Sequence, residues 1–229
     1  MYWWQPQQTV ELVFGSSLLA SLGVASVLSL VARKFAFPRM FEGMIAGSFS
    51  GSTIIETCAE LCRKMNMKEV ALREATVGNA FSLNNNRRKV VAVSPEMVTS
   101  MSSAEVEAVI AHELSHLKNN DSQEKGFARL AKLAFAFDPV LHLVEAAVHR
   151  ERELLADQSS VKYTQKPLAL ASALLKVHSG FHAHVPGPGA GLFVGHQGKG
   201  LLSRYPDLDR RVQLLIDMAH EQKTQPIPV

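Results

Sequence analysis

Between Leu12 and Ala32 the chain runs for 21 residues without a charge, LVFGSSLLASLGVASVLSLVA. As a helix such a run is about 31 Å long, the thickness of a bilayer's hydrocarbon core, so it either crosses a membrane or is wrapped by protein. Its flanks favour the membrane. Glu11 precedes it, Arg33 and Lys34 follow, and Tyr2, Trp3 and Trp4 stand where interfacial aromatic residues lie. Five serines and two glycines keep the run only moderately hydrophobic and suit close contact with another membrane helix. A secretory leader needs positive charge ahead of its apolar run, and residues 1–32 contain no Lys or Arg. The expectation is one N-terminal transmembrane helix, with residues 1–35 as an anchor in the plasma membrane. Arg33 and Lys34 then place the rest of the chain, as a single-pass protein, in the cytoplasm. The competing reading is a buried core helix.

Residues 36–229 suffice for one sizeable domain. The formal charge of +3 is modest, and the only basic run, Arg87-Arg88-Lys89, has no interleaved aromatics, which argues against a nucleic-acid partner. Cys58 and Cys62 are four apart in the helical-looking IIETCAELCRKM and read as reduced packing residues. The pattern is α+β, mainly helical with a small sheet. VALREATVGNAFSL reads as extended, NNNRR as a turn, and KVVAVS as a short strand. MSSAEVEAVIAHELSHLKNN is a helix with a marked start: Ser102 and Glu105 fit a capping box, and Met101 and Val106 fit the flanking hydrophobic staple. Helices follow through HLVEAAVHRERELLADQSSV, PLALASALLKVHS and DLDRRVQLLIDMAHEQ. Residues 179–200, rich in Gly, Pro and His, read as a long loop. Residues 126–148 carry four charges and Pro139, which fits an amphipathic or buried helix and not a second span.

His112 and His116 are four residues apart, so on a helix they share a face and can reach one ion. Zinc favours imidazole nitrogen, and a catalytic zinc takes three protein ligands and leaves a position for water. Glu113, about 100° round the helix from His112, can act on that water as a general base without being a ligand. Without a metal, the same stretch is a helix with two polar-facing histidines. A third ligand belongs on another helix. HRERELLADQ offers His149, Glu151, Glu153 and Asp157, of which Glu153 can coordinate while Asp157, one turn on, holds a ligating histidine in its correct tautomer. Glu151 points about 200° away from Glu153 and cannot join it. The alternative makes Arg150-Glu151-Arg152-Glu153 an exposed, salt-bridged helix face.

Four segments in order, GNAFSL, AVIAHELSHLKNND, ERELLAD and YPDLDRRVQLL, span residues 78–215 and resemble the M48 family of membrane metallopeptidases, which includes HtpX heat-shock proteases and Ste24 CAAX proteases. The resemblance implies a gluzincin, zincin-like domain holding one zinc per chain on His112, His116 and Glu153, with Glu113 as catalytic base. It also implies proteolysis of unfolded or membrane proteins in quality control at the cytoplasmic face of the lipid bilayer, with homo-oligomerisation left open. Two departures matter. HtpX-like proteins usually carry additional spans between the HExxH helix and the glutamate ligand, and here only 36 residues separate His116 from Glu153. Where the family has His-Pro ahead of an arginine, this chain has Tyr205-Pro206 before Arg211. The Tyr205 hydroxyl can donate to the oxyanion formed on cleavage, with Arg211 orienting it or contributing charge. Equally, Tyr205 packs the loop and Arg211 is a helix ion-pair partner. An extended substrate would lie beside KVVAVS. Asn79 and Phe81 would line that groove, or serve as turn and core residues.

Two other readings compete. M56 sensor-linked membrane peptidases share the HELxH helix and a following charged stretch. Their later motif usually has Cys-Asp where this chain has Ala156-Asp157, and GNAF and the YPxLxxR segment favour M48. A non-catalytic, zinc-stabilised membrane scaffold would be marked by an altered Glu113, which is present.

Overall fold

The structure, a computed structural model, describes residues 6–31, 44–76, 78–85, 88–119, 139–180 and 206–224, with side chains described at all of these except 6–14, 28–31, 85, 88, 139–142 and 180. Mostly helical with one small sheet, it runs α1 Pro6–Val31, β1 Ile45–Ser48, α2 Ser52–Lys64, β2 Ala71–Ala75, β3 Ala80–Asn85, β4 Arg88–Val93, α3 Pro95–Ser100, α4 Ser103–Lys118, α5 Pro139–Thr164, α6 Pro167–Gly180 and α7 Leu208–Thr224.

The sheet order is β1-β2-β4-β3. β4 lies between a parallel partner, β2 (Leu72 opposite Val91), and an antiparallel one, β3 (Phe81 opposite Ala92). The extended stretch VALREATVGNAFSL is therefore two strands on opposite sides of β4, joined across the end of that strand. Asn79 belongs to this crossing. Its Oδ1 accepts the Ala80 N–H at 2.8 Å, and its carbonyl accepts the Ser94 N–H at 3.0 Å. The placement also corrects the expectation that a substrate pairs with KVVAVS. Both edges of β4 are occupied, and β3 is the edge strand that packs on α4.

Alternation across the strands sorts residues to two faces. Val91 and Val93 join the main core with Cys58, Leu61 and Met65 of α2, Val109, Ile110, Leu114 and Leu117 of α4, and Ala173 and Val177 of α6. Phe81, fully buried, packs on the opposite face with Ala75 and Ala92. Cys58 and Cys62 are free and buried, as packing residues should be. A second cluster, of Ala108, Val161, Leu170, Leu174, Leu208 and Leu215, binds α4 to α5, α6 and α7.

The centre of the fold is α4, whose buried residues lie on every side of the helix, His112 and Glu113 among them. Its start is exposed at Ser102 and Ser103, and its capping box is complete. Ser102 Oγ accepts the Glu105 N–H at 3.3 Å, and Glu105 accepts the Ser102 N–H at 2.6 Å. Met101 and Val106, the staple pair, are both buried in the main core. Glu105 also reaches α6, accepting bonds from Ser172 Oγ at 2.6 Å and Lys176 Nζ at 2.7 Å. Burial pushes its carboxyl upward, but Lys176, Ser172 and the Ser102 N–H outweigh that and bring it down to about 2.

α5 opens at Pro139, where a missing N–H costs nothing, so the proline begins a helix; residues 126–138 lie outside the described residues, as does the expected loop from 181 to 200. α1 covers the uncharged run. Its side chains from Gly15 to Val27 are exposed except half-buried Ala25, with Leu19 at 72%. Among the described residues no helix is long and apolar enough to cross a membrane. Arg33 and Lys34 lie outside the described residues.

Removing the cap, Ser102→Ala, should lower the free energy of unfolding in urea by about 1 kcal/mol. Because the carboxyl of Glu105 is depressed, its stabilisation is present above pH 4.5 and is lost as pH falls through about 2. The stability gap between wild type and Glu105→Gln should therefore close over that acid range.

Candidate metal centre

The repeat of α5 decides what enters the site. Its buried residues Glu153, Ala156, Asp157, Ser160, Val161 and Thr164 follow steps of three and four and form one stripe. Glu151, off this stripe, is exposed. Small residues let the stripe lie close on α4, where Ser160 Oγ donates to the Ala108 carbonyl at 2.8 Å. That contact sets two carboxylates against the histidines of α4. The exposed, salt-bridged reading of residues 150–153 thus fails for Glu153, which is 8% exposed.

His112 Nε2 and His116 Nε2 are 3.3 Å apart, Glu153 Oε2 is 3.5 Å from His112 Nε2, and Glu153 Oε1 is 3.6 Å from His116 Nε2. Bonds of about 2.0–2.2 Å to a tetrahedral ion put neighbouring ligand atoms about 3.3–3.6 Å apart. Each imidazole thus faces its own Glu153 oxygen at a ligand–ligand spacing, one atom from each of the three residues lies within 4.8 Å of the others, and two imidazoles with one carboxylate are a donor set suited to zinc. The two rings meet edge to face, with centroids 4.9 Å apart, so both direct Nε2 into one space. Glu113, next to His112, is 2% exposed, and among the described residues no hydrogen bond or ion pair engages its carboxylate.

Behind the histidine stands a second layer. His112 Nδ1 is 3.0 Å from Asp157 Oδ1, a contact too bent to count as a hydrogen bond, so that Nδ1 has no well-aligned partner. Arg211 of α7 donates to both Asp157 oxygens, from Nε and Nη2, each at 2.7 Å. Its Nη1 lies 3.5 Å from Glu153 Oε2. Burial pushes the carboxyls of both Glu153 and Asp157 upward. The positive charges facing them, His112, His116 and Arg211 at Glu153 and Arg211 and His112 at Asp157, hold both well below the usual range. Burial lowers His112, yet the same two carboxylates raise it to about 10 in the metal-free site.

Four expected residues, His112, His116, Glu153 and Asp157, thus come together. Arg211 joins them on the side of Asp157. Asn79 is 8% exposed and its side chain is occupied within the turn, while the Phe81 side chain lies in the core and not along a groove. Tyr205 lies outside the described residues. What the sequence reading missed was the Arg211–Asp157 fork. Its trace was there: Arg211 falls in the stripe Leu208, Arg211, Leu215, Ala219, three or four residues apart, where an apolar side chain is expected.

His112, raised above its ordinary 6.5, contributes stability to the metal-free protein that is complete below pH 6.5 and is lost as pH rises through about 10. With a chelator present, the Tm difference between wild type and His112→Ala should shrink as pH is raised across that interval.

Comparison with known proteins places this centre. The family model described as BlaR1 peptidase M56 matches residues 49–199. A protease HtpX homolog 2 of Methanosarcina mazei is 31% identical over 198 residues, covering 67% of this chain and 67% of the relative. A protease HtpX homolog of Methanopyrus kandleri is 28% identical over 212 residues, covering 72% of this chain and 66% of the relative. The crystal structure of S. mikatae Ste24p superposes with a TM-score of 0.57 at 15% identity, over 86% of this chain and 58% of that one, which shows a shared fold. The chain thus spans about two thirds of the length of these HtpX relatives. The M56 match ends before residues 205–211, the segment that separates the two families in the sequence, and it covers the HExxH and ERELLAD helices that they share. The chain belongs to the HtpX/Ste24-like peptidases of family M48, and its core is one that the M56 peptidase family also describes.

Proposed function

We propose that this chain is a membrane-anchored zinc endopeptidase of gluzincin type, acting on unfolded or membrane proteins in quality control. One observation carries the reading: His112 Nε2 and His116 Nε2 stand 3.3 Å apart, each with an oxygen of Glu153 within 3.6 Å, beside the buried carboxylate of Glu113, which no hydrogen bond or ion pair engages among the described residues. A zinc ion on these three residues supplies Lewis-acid charge that polarises a carbonyl and acidifies water. The chain's own residues do the rest. Glu113 takes the proton from the attacking water and returns it to the leaving amine. Its burial suits that work, because a carboxylate without competing partners is free to hold a proton between the two steps. Tyr205 is the donor for the oxyanion. β3, an edge strand among the described residues and packed on α4, is the strand that would offer main-chain hydrogen bonds to an extended peptide.

Residues 36–229 form the peptidase domain and 1–35 the anchor. The anchor is supported by the exposed leucines and valines of α1 and by the aromatic and basic residues around the uncharged run. Arg33 and Lys34 orient the catalytic domain to the cytoplasm in this reading. The match to the M56 family favours one second reading, a sensor-linked peptidase with a single narrow substrate.

Detergent-purified full chain should bind one zinc and hydrolyse unfolded casein. Glu113→Gln should keep the zinc and lose activity by about 10²–10⁴-fold. Bound zinc with casein untouched favours the narrow-substrate reading, and a wild type that takes up no zinc sinks both.

A further inference from the structure

A guanidinium in the apolar stripe of α7 is costly unless its charge and its donors are answered. Arg211 is 3% exposed and spends its nitrogens on α5. Nε and Nη2 hold the two oxygens of Asp157 at 2.7 Å each, and Nη1 faces Glu153 at 3.5 Å. Both close bonds thus run to Asp157, on the side of His112 away from the proposed ion.

What the arginine does control is the carboxylate plane of Asp157. Two parallel bonds from one rigid fork fix that plane, and Asp157 Oδ1, which takes one of them, is also the atom 3.0 Å from His112 Nδ1. A proton kept on Nδ1 leaves the lone pair on Nε2, which is the form a metal requires. The same guanidinium lies against Glu153 as well, so it balances two buried negative charges one helical turn apart. We propose that Arg211 is a positioning residue of the metal centre, setting His112 through Asp157 and thereby the affinity for metal. This rests on the zinc reading above. It makes α7 part of the metal site although that helix supplies no ligand.

The test is the zinc Kd of the full chain in detergent, measured by competition with a chromophoric chelator at constant pH. Arg211→Met should weaken zinc about 10–100-fold, the usual loss when a ligand's supporting partner is removed. Arg211→Lys should fall between, since an ammonium keeps the charge but cannot hold both oxygens. In an Asp157→Ala background, Arg211→Met should add less than about threefold, because the residue it acts through is gone. Helical circular dichroism with chelator present checks folding. Should Arg211→Met not fold, Arg211→Lys decides alone, and a Kd within threefold of wild type overturns the proposal. So does unchanged zinc affinity in Arg211→Met with casein hydrolysis lost, which returns the arginine to substrate. Losses that multiply in the double variant also overturn it. A wild type that binds no zinc is a different failure, that of the zinc reading itself.

Discussion

His112, Glu153, Asp157 and Arg211 are each 8% exposed or less, and none of them could be buried alone without a large desolvation cost. They are tolerable only as a set. Arg211 answers Asp157 and faces Glu153, and the carboxylates face His112 from both sides of its ring. Three helices distant in sequence must come together before any of these charges is compensated. The arrangement of α4, α5 and α7 is thus the condition for the site, and the site in turn constrains how those helices pack. This mutual dependence explains why the most polar cluster among the described residues lies in the interior and not at its rim.

The remaining elements hold α4 in place. Its capping box closes the first turn of the helix with bonds of its own, and Glu105 extends that closure to Ser172 and Lys176 of α6. The main core lies between α4, the sheet and α2, while the second cluster ties it to α6 and α7. β4 is buried as the central strand, which leaves β3 as the edge beside the helix that carries His112 and Glu113. The architecture therefore sets a pair of histidines, a buried carboxylate and an edge strand about one helix. That is the combination peptide hydrolysis requires: charge to polarise the bond, a base to move the proton, and a backbone template to hold the chain extended.

Membership of the HtpX/Ste24-like peptidases accords with these features. The agreement with the M56 family is equally physical, since both matches include the two helices that carry the histidines and Glu153. The differences lie elsewhere, in the short connection from His116 to Glu153 and in Tyr205 ahead of Arg211. Of these two last residues, Arg211 is tied to Asp157 by the buried fork.

Local periodicity made much of this legible in the sequence. The four-residue steps His112–His116 and Glu153–Asp157 place side chains on common faces of any α-helix, so each pair was legible from spacing, and the structure brings the two pairs together. Ser102 and Glu105 mark the start of α4 by bonds made within a single turn, and Cys58 and Cys62 read as packing residues for the same local reason. Strand order was not legible. A β-branched run has the same pattern at an edge or in the centre of a sheet, and only the pairing of β4 with both β2 and β3 placed it in the centre and β3 at the edge. Nor was the partner of Arg211. An arginine six residues after a tyrosine could serve substrate, solvent or core, and it is the packing of α7 against α5, across 54 residues of chain, that joined it to Asp157. Spacing along a helix is decided by bonds between neighbours, whereas contacts between helices are decided by which surfaces bury each other, and that choice is made only when the whole chain folds.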